Sequence, residues 1–289
     1  MWYIYAFITA LLETSKDVVS RKSAQRTNEY ISAFGLQFFA CLTLLPFVVF
    51  TGIPKLSIGY WYGVGFAAIS LPAWSILYMR ALKLSPLSVT VPMLAFNPVF
   101  TALLAIFFEH RWPSVVGWLG IIIVAFGMYL MRLKRSELSK GIFHPIISIA
   151  SEPGAIAMLG VAFIWSIGTY VNKIIIAGSS PLFFAFSITA VGSVVLYIVA
   201  KRMHGVTVRE LSLHVRSMGP GGILNGLSEF AFGAALSLGF APYVVSIKRM
   251  NVMLSAVVGH LAYKERISAV QLLGIMCMFG GLVTILNAH

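Results

Sequence analysis

Apolar runs of roughly twenty residues alternate with short polar breaks along the whole chain. A helix rising 1.5 Å per residue needs about 20 such residues to cross a bilayer core. Breaks set by charges, Pro and Gly predict ten spans: 2–22, 29–51, 58–80, 85–108, 113–132, 154–176, 181–201, 218–239, 241–263 and 267–287. Most connections are tight, as in Gly178-Ser179-Ser180-Pro181 and Phe240-Ala241-Pro242. The longer ones, 133–153 and the basic stretch 202–217, leave no room for a separate soluble domain.

The two halves of this pattern match. WLGIIIVAFG (118–127) aligns with LLGIMCMFGG (272–281) at an offset of 154, which also places Asn97 on Asn251. The first spans of the halves align at an offset of 152, with Ser20 on Asn172 and Arg21 on Lys173. A first repeat at 1–132, a connecting loop at 133–153 and a second repeat at 154–289 are therefore expected. Five spans per half is an odd number, so the second half enters the membrane from the opposite face. The expected fold is an all-α integral membrane protein of ten transmembrane helices in an inverted 5+5 repeat, an arrangement that allows alternating access to a central site.

Composition narrows the class. The chain is 59% hydrophobic and 10% charged, whereas a soluble domain carries about a quarter charged residues. Its net charge of +12 lies mainly in loops, which argues against a nucleic-acid partner. Fifteen basic residues, Arg132 among them, fall in loops on the side opposite the N-terminus, against Lys55, Arg111 and Lys173 on the same side. By the positive-inside rule, both termini are expected outside a prokaryotic plasma membrane. Glu13, Lys16 and Asp17 interrupt the first apolar run, so it does not read as a cleavable signal. Cys41 and Cys277 sit inside spans and form no disulfide framework. The six His residues make no metal pattern, and no catalytic triad order, phosphate loop or HExxH occurs. Neither an enzyme nor a resident cofactor is expected. The expected partners are the lipid bilayer and a small-molecule substrate. One monomer suffices for a pathway, and a homodimer is compatible with it.

Lys16, Lys248 and Arg249 are the basic residues left inside spans. Each such charge costs ~2.5–3.5 kcal/mol at a helix centre, so it faces a cavity or a partner rather than lipid. Glu13, Lys16, Asp17, Ser20 and Arg21 recur at three- and four-residue spacing on one face of span 1. Glu229 interrupts span 8. Helical rise places Glu13 ~16 Å, Glu229 ~18 Å, Lys248 ~10 Å and Arg249 ~12 Å from the N-terminal side. Two roles are open for each group. A Glu13–Lys16 pair and a pair between Glu229 and Lys248 or Arg249 would fix packing; alternatively, the same side chains line a substrate path. A carboxylate poised between desolvation and a nearby cation also allows proton coupling. Asn97 and Asn251 would supply amide contacts at repeat-related positions. Pro72, Pro92 and Pro98 interrupt spans 3 and 4 and free backbone acceptors. Trp74 and Trp165 lie deep enough either to pack or to line a cavity.

These residues carry a resemblance. ALKLSPLSVTVPMLAFNPVF (81–100), GWLGIIIVAFGMYLM (117–131) and SIKRMNVMLSAVVGHLAYKERISAVQLLG (246–274) resemble the drug/metabolite transporter superfamily, in its ten-span form with two EamA-type repeats. Glu265-Arg266 followed by Gly274 looks like the end of such a repeat. In the superfamily's sugar-phosphate translocators an adjacent Lys-Arg in the ninth span binds phosphate, and Lys248 and Arg249 match it. Span 4, from Pro86 to Phe108, has no basic residue to complete a phosphate clamp.

The expected function is secondary transport of a small polar metabolite bearing a carboxylate or phosphate. Lys248 and Arg249 would bind the anion, with Glu229, Glu13, Asp17, Lys16, Asn97 and Asn251 lining the path. One alternative is proton-coupled export of cationic or zwitterionic amines, drugs or amino acids, with Glu229 and Asp17 binding the amine. A non-transporting membrane scaffold is the other.

Overall fold

The structure, a computed structural model, describes residues 1–26, 29–133, 146, 152–204, 218–264 and 267–288. All regular elements among them are helical, and they fall on the ten expected spans. Span 1 is Trp2–Arg26, span 2 Glu29–Thr51, span 3 Ile58–Leu84 and span 5 Val115–Arg132. Span 6 is Pro153–Ala177, span 7 Pro181–His204, span 8 Gly219–Leu238 and span 10 Ala269–Leu286. Spans 4 and 9 are discontinuous: Leu87–Thr90, a 3₁₀ segment Val91–Phe96 and Asn97–Phe108 in span 4; Ala241–Lys248 and Met250–Tyr263 in span 9. The connecting loop and the basic stretch 202–217 lie largely outside the described residues, as do Glu265 and Arg266.

Eight of the spans are long and apolar enough to cross a membrane by composition alone. Large apolar side chains point outward along them, among them Phe107 (74% exposed), Val115 (87%) and Met276 (56%). Apolar surface of this extent is lipid-facing surface. The two spans outside that set are spans 1 and 8, which carry Glu13, Lys16 and Asp17, and Asn225 and Glu229. These two helices pack on one another, so each polar stripe gains a polar neighbour in place of lipid.

The chain forms two compact units, and neither is a half of the sequence. Unit 1 comprises Met1–Leu71 and Val171–Leu238; unit 2 comprises Pro72–Tyr170 and Gly239–His289. The division passes through spans 3 and 6, at Pro72 in the first of them. In unit 1, spans 1 and 2 pack against span 8, and span 2 against span 7. Tyr60 Oη and Ser187 Oγ hydrogen bond at 2.8 Å in its interior.

Unit 2 preserves the repeat in its backbone. His110 and Lys264, 154 positions apart, are the non-glycine residues of positive φ among those described, at 49° and 55°. Each ends a helical span, where a left-handed residue releases the last carbonyls to local bonds. Ser114 and Ser268, again 154 apart, cap spans 5 and 10; their Oγ atoms accept from Gly117 N (3.1 Å) and Gln271 N (3.2 Å). Spans 5 and 10 then cross through four glycines. A Cβ on Gly127 would lie 2.7 Å from Gly274 O, and one on Gly274 would lie 2.8 Å from Gly127 O. Gly120 and Gly281 face each other in the same reciprocal way. Lipid tails are as apolar as leucine, so close backbone contact is what holds such a crossing.

The break in span 9 falls at Arg249, where the sequence leads one to expect a continuous helix. Arg249 has φ −66° and ψ −8°, which flattens the turn. Its N–H still donates to Val245 O at 3.0 Å, but Val252 N–H reaches only three residues back, to Arg249 O at 3.1 Å. At the repeat-related place in span 4, Pro92 and Pro98 remove two amide donors and the chain runs as 3₁₀ over six residues. Both breaks therefore stand at the same position in their repeats.

Candidate functional site

Arg249 reaches from its break to the break in span 4. Its Nε and Nη2 both donate to Asn97 Oδ1, at 3.2 and 2.8 Å. Asn97 is 1% exposed and opens the second half of span 4, just after the 3₁₀ segment. The rest of its amide is committed too: Nδ2 donates to Ser166 Oγ (2.9 Å) and Ala162 O (3.2 Å) in span 6. Ser166, fully buried, has Asn97 O (3.0 Å) and Ala162 O (2.9 Å) within reach of its hydroxyl. Thr101 Oγ also donates to Asn97 O, at 2.9 Å. These bonds fix the amide orientation, so that its oxygen and not its nitrogen faces the guanidinium.

An aromatic wall completes the cluster. The Arg249 guanidinium carbon lies 5.4 Å from the centre of the Trp165 ring. Trp74 meets Trp165 edge to face at 5.6 Å. Partial desolvation strengthens a cation over an aromatic face. Trp74 and Trp165 thus pack on each other, while Trp165 also contacts the charge. Lys248 and Asn251 flank Arg249 and are half-buried. At the start of span 9, Glu109 Oε1 accepts from Ala241 N at 3.1 Å. A carboxylate there complements the positive end of the helix dipole.

Unit 1 holds the other expected residues. Lys16 Nζ is 4.0 Å from Asp17 Oδ1 and 3.4 Å from Asn225 Oδ1. Asn225 Nδ2 donates onward to Gln37 Oε1 at 3.3 Å. The Asp17 side chain is 54% exposed against 20% for Lys16. An exposed carboxylate in a membrane helix requires water or a polar ligand beside it. Glu13 and Glu229 are half-buried. The acidic candidates thus belong to unit 1, and Asn97, Lys248, Arg249 and Asn251 to unit 2.

Four residues lie outside the expected site set: Ser166, Asn225, Gln37 and Arg132. The first three are polar interruptions of apolar runs and were legible as such. Arg132 counted among the loop charges, yet its Nε is fully buried and has no hydrogen-bond partner. Among the described residues, no group of three or more His, Cys, Asp or Glu side chains is placed to hold a metal.

The protein is a membrane-spanning helical bundle with an internal repeat, broken helices at matching positions and charged side chains at membrane depth in each unit. The sequence profile of the EamA-like transporter family matches residues 1–133 and 152–287. The chain belongs to that family, within the drug/metabolite transporter superfamily. It is 27% identical over 130 residues to the S-adenosylmethionine uptake transporter of Rickettsia conorii, covering 42% of this chain and 43% of that one. It is 40% identical over 65 residues to the probable 4-amino-4-deoxy-L-arabinose-phosphoundecaprenol flippase subunit ArnE of Yersinia pestis, covering 22% of this chain and 57% of that one. The chain thus spans about half the length of the curated relatives it matches. A chain in a solved crystal structure, 15% identical, superimposes with a TM-score of 0.75 over 99% of this protein and 97% of its own length. That likeness establishes the fold.

Proposed function

We propose that the protein is a secondary transporter that moves a small polar metabolite through its anionic group, carboxylate or phosphate, by alternating access. The observation that carries this is the two-donor bond from Arg249 to Asn97 across two repeat-related helix breaks. A neutral amide oxygen is a weaker acceptor than an anionic oxygen, so a substrate anion competes well for the same two donors. Broken helices at repeat-related positions are where inverted-repeat transporters bind their cargo. Lys248 adds a second positive charge beside Arg249, and Asn251 an amide at the position equivalent to Asn97. The two repeats are taken as 1–132 and 154–289.

Both curated relatives are named for a molecule that carries an amine or sulfonium as well as a carboxylate or phosphate. With the exposed carboxylate of Asp17, this supports a zwitterionic substrate as a second reading. In it Asp17, Glu13 and Glu229 take the cationic group or a proton, and Lys16 holds Asp17 in place. Neither reading needs a resident cofactor. Loop charge supports external termini in a bacterial plasma membrane, and the internal repeat is compatible with a monomer or homodimer as the working unit.

The test is a thermal-stability titration of purified protein with carboxylates, phosphate esters and organic cations. Anionic metabolites are expected to stabilise the wild type. Their apparent affinity falls at least about tenfold in both Arg249→Gln and Lys248→Gln, the loss of one charge-assisted contact. Stabilisation by organic cations alone, unchanged in both variants, overturns the anion assignment.

A further inference from the structure

Span 1 presents one ammonium to two oxygens. Lys16 Nζ lies 3.4 Å from Asn225 Oδ1 and 4.0 Å from Asp17 Oδ1. Ordinary N–H···O bonds close to ~2.7–3.2 Å, and charge-assisted ones to ~2.7–2.9 Å. Lys16 therefore closes fully on neither oxygen. The neutral one is held toward it from behind: Asn225, 7% exposed, donates its Nδ2 to Gln37 Oε1 at 3.3 Å. Turning that amide over would set its oxygen against Gln37 Oε1 and its NH2 against the ammonium. Gln37 in turn fits against Gly192 of span 7, where a Cβ would come within 3.2 Å of Gln37 Cδ. All five residues belong to unit 1.

Spans 1 and 8 run in opposite directions here. A Cβ on Gly221 would overlap Ser20 Oγ, so residues four apart on span 1 meet residues four apart on span 8. Ser20 thus lies one turn to one side of the Lys16–Asn225 contact, and Ser228 one turn to the other. Both hydroxyl oxygens are buried without a hydrogen-bond partner, and Ser228 is 2% exposed. Buried hydroxyls ordinarily have a partner, so two open ones beside one contact mark a place that a ligand or water completes. The Asp17 carboxylate opens the grouping to the outside, with its side chain 54% exposed. A carboxylate and an oriented amide oxygen are the acceptors that suit a primary ammonium with its three N–H donors.

We propose that the oxygens of Asp17 and Asn225 form a seat for a primary ammonium group of the substrate, and that Lys16 fills this seat as an internal ammonium until the substrate displaces it. Gln37 is the positioning residue that keeps the Asn225 oxygen facing the seat. A tethered group competes at high effective concentration. It lowers the apparent affinity of an external ammonium by the fraction of time that it leaves the seat free. The flexible four-carbon stem of Lys16 lets it swing clear, and Glu13 stands one turn back on the same helix face. A quaternary ammonium has the charge but no N–H, so it engages Asp17 and not the Asn225 oxygen. This rests on Asp17 taking the cationic group of the substrate, and adds to that reading the neutral oxygen, the internal competitor and a preference for primary amines.

The experiment is a melting titration of the full-length protein in phosphatidylcholine nanodiscs with methylammonium and tetramethylammonium chloride at constant ionic strength. A ligand of the folded state raises the melting temperature with its concentration, which yields an apparent affinity. Methylammonium is expected to bind the wild type more tightly than tetramethylammonium. Lys16→Met should tighten methylammonium at least about tenfold, because a tethered competitor is gone. Lys16→Gln keeps a donor toward Asn225 and should tighten it at least about threefold; it decides the matter if Lys16→Met gives no folded protein. Gln37→Met, made in the Lys16 variant, should weaken methylammonium at least about threefold and leave tetramethylammonium within about twofold. Equal loss of both probes there overturns the positioning role of Gln37. Methylammonium binding that neither Lys16 variant tightens, but that Asp17→Asn weakens at least about tenfold, overturns the internal ammonium while Asp17 stands as the cation site. Binding unchanged in Asp17→Asn, or absent from the wild type and both Lys16 variants, overturns the underlying reading and the seat with it.

Discussion

Asn97→Asp is expected to weaken binding of a substrate anion about a hundredfold without lowering thermal stability. The wild-type amide oxygen accepts from Arg249 at 2.8 and 3.2 Å as a neutral group. A carboxylate in its place makes the same two bonds with a full negative charge. Bonds between charged groups are worth ~1.5–3 kcal/mol, against about 1 for a neutral pair. A difference of about 2–3 kcal/mol is a factor of roughly thirty to over a hundred in competition. The incoming anion would then have to displace an internal one. Ser166 can turn its hydroxyl toward the new carboxylate, which offsets the lost bond from Asn97 Nδ2 to Ser166, and the stronger charge-assisted bonds to Arg249 offset the one lost to Ala162 O. Asn97→Leu is the contrast. It leaves the Ser166 hydroxyl and the two Arg249 donors without their amide partner in a buried place, at a cost of about 2–4 kcal/mol. Its melting temperature should drop measurably, whereas that of Asn97→Asp holds. Asn97→Asp protein that binds anions as well as the wild type would remove the Arg249–Asn97 pair from the binding step.

Gly127→Leu is expected to yield no monodisperse folded protein. A Cβ at this position would stand 2.7 Å from Gly274 O and 2.8 Å from Met278 N, both backbone atoms that cannot turn aside. Spans 5 and 10 would have to separate along their whole crossing, and direct packing is what holds such helices together in lipid. Even Gly127→Ala should cost about 1–3 kcal/mol through overpacking. The equivalent Gly274→Leu should fail in the same way, because its Cβ meets Gly127 O. Gly280→Ala is the control: nothing lies within 4 Å of its Cβ position, and its stability should stay within about 0.5 kcal/mol of wild type. Detergent-resistant folding, read by gel filtration and melting, checks all four. A well-behaved Gly127→Leu would mean that this crossing does not hold unit 2 together.

How much of this was legible beforehand depends on the residue. The ten spans were, because twenty apolar residues in a row have one stable solution in a bilayer. The repeat was, because Gly120, Gly127 and Asn97 return 154 positions later. Lys248, Arg249 and Asn97 were legible as anomalies: polar groups at membrane depth whose cost implies a partner. The bond from Arg249 to Asn97 was not. The sequence directed attention to Glu229 as the partner of the basic pair, since opposite charges attract. Within unit 2 Arg249 also has the side-chain oxygen of Asn97, whose own amide nitrogen is held by Ser166 and Ala162. Arg132 was read from its position at a span end as a loop charge. A long flexible side chain at a helix end can point either to water or back into the bundle, and periodicity does not distinguish the two.

The sequence by itself determined the class of the protein: an all-helical membrane bundle with an internal repeat and a few charges too costly to be idle. Hydrophobic length and residue identity suffice for that, because lipid admits so few backbone solutions. Only the tertiary structure decided that the compact units mix both halves of the chain, and that span 9 breaks at Arg249. It also decided that the two repeat-related breaks are joined through one amide oxygen. Such outcomes depend on which helices lie side by side and on a few ångströms of side-chain reach. Those quantities come from packing among distant segments, and no local pattern in the chain encodes them.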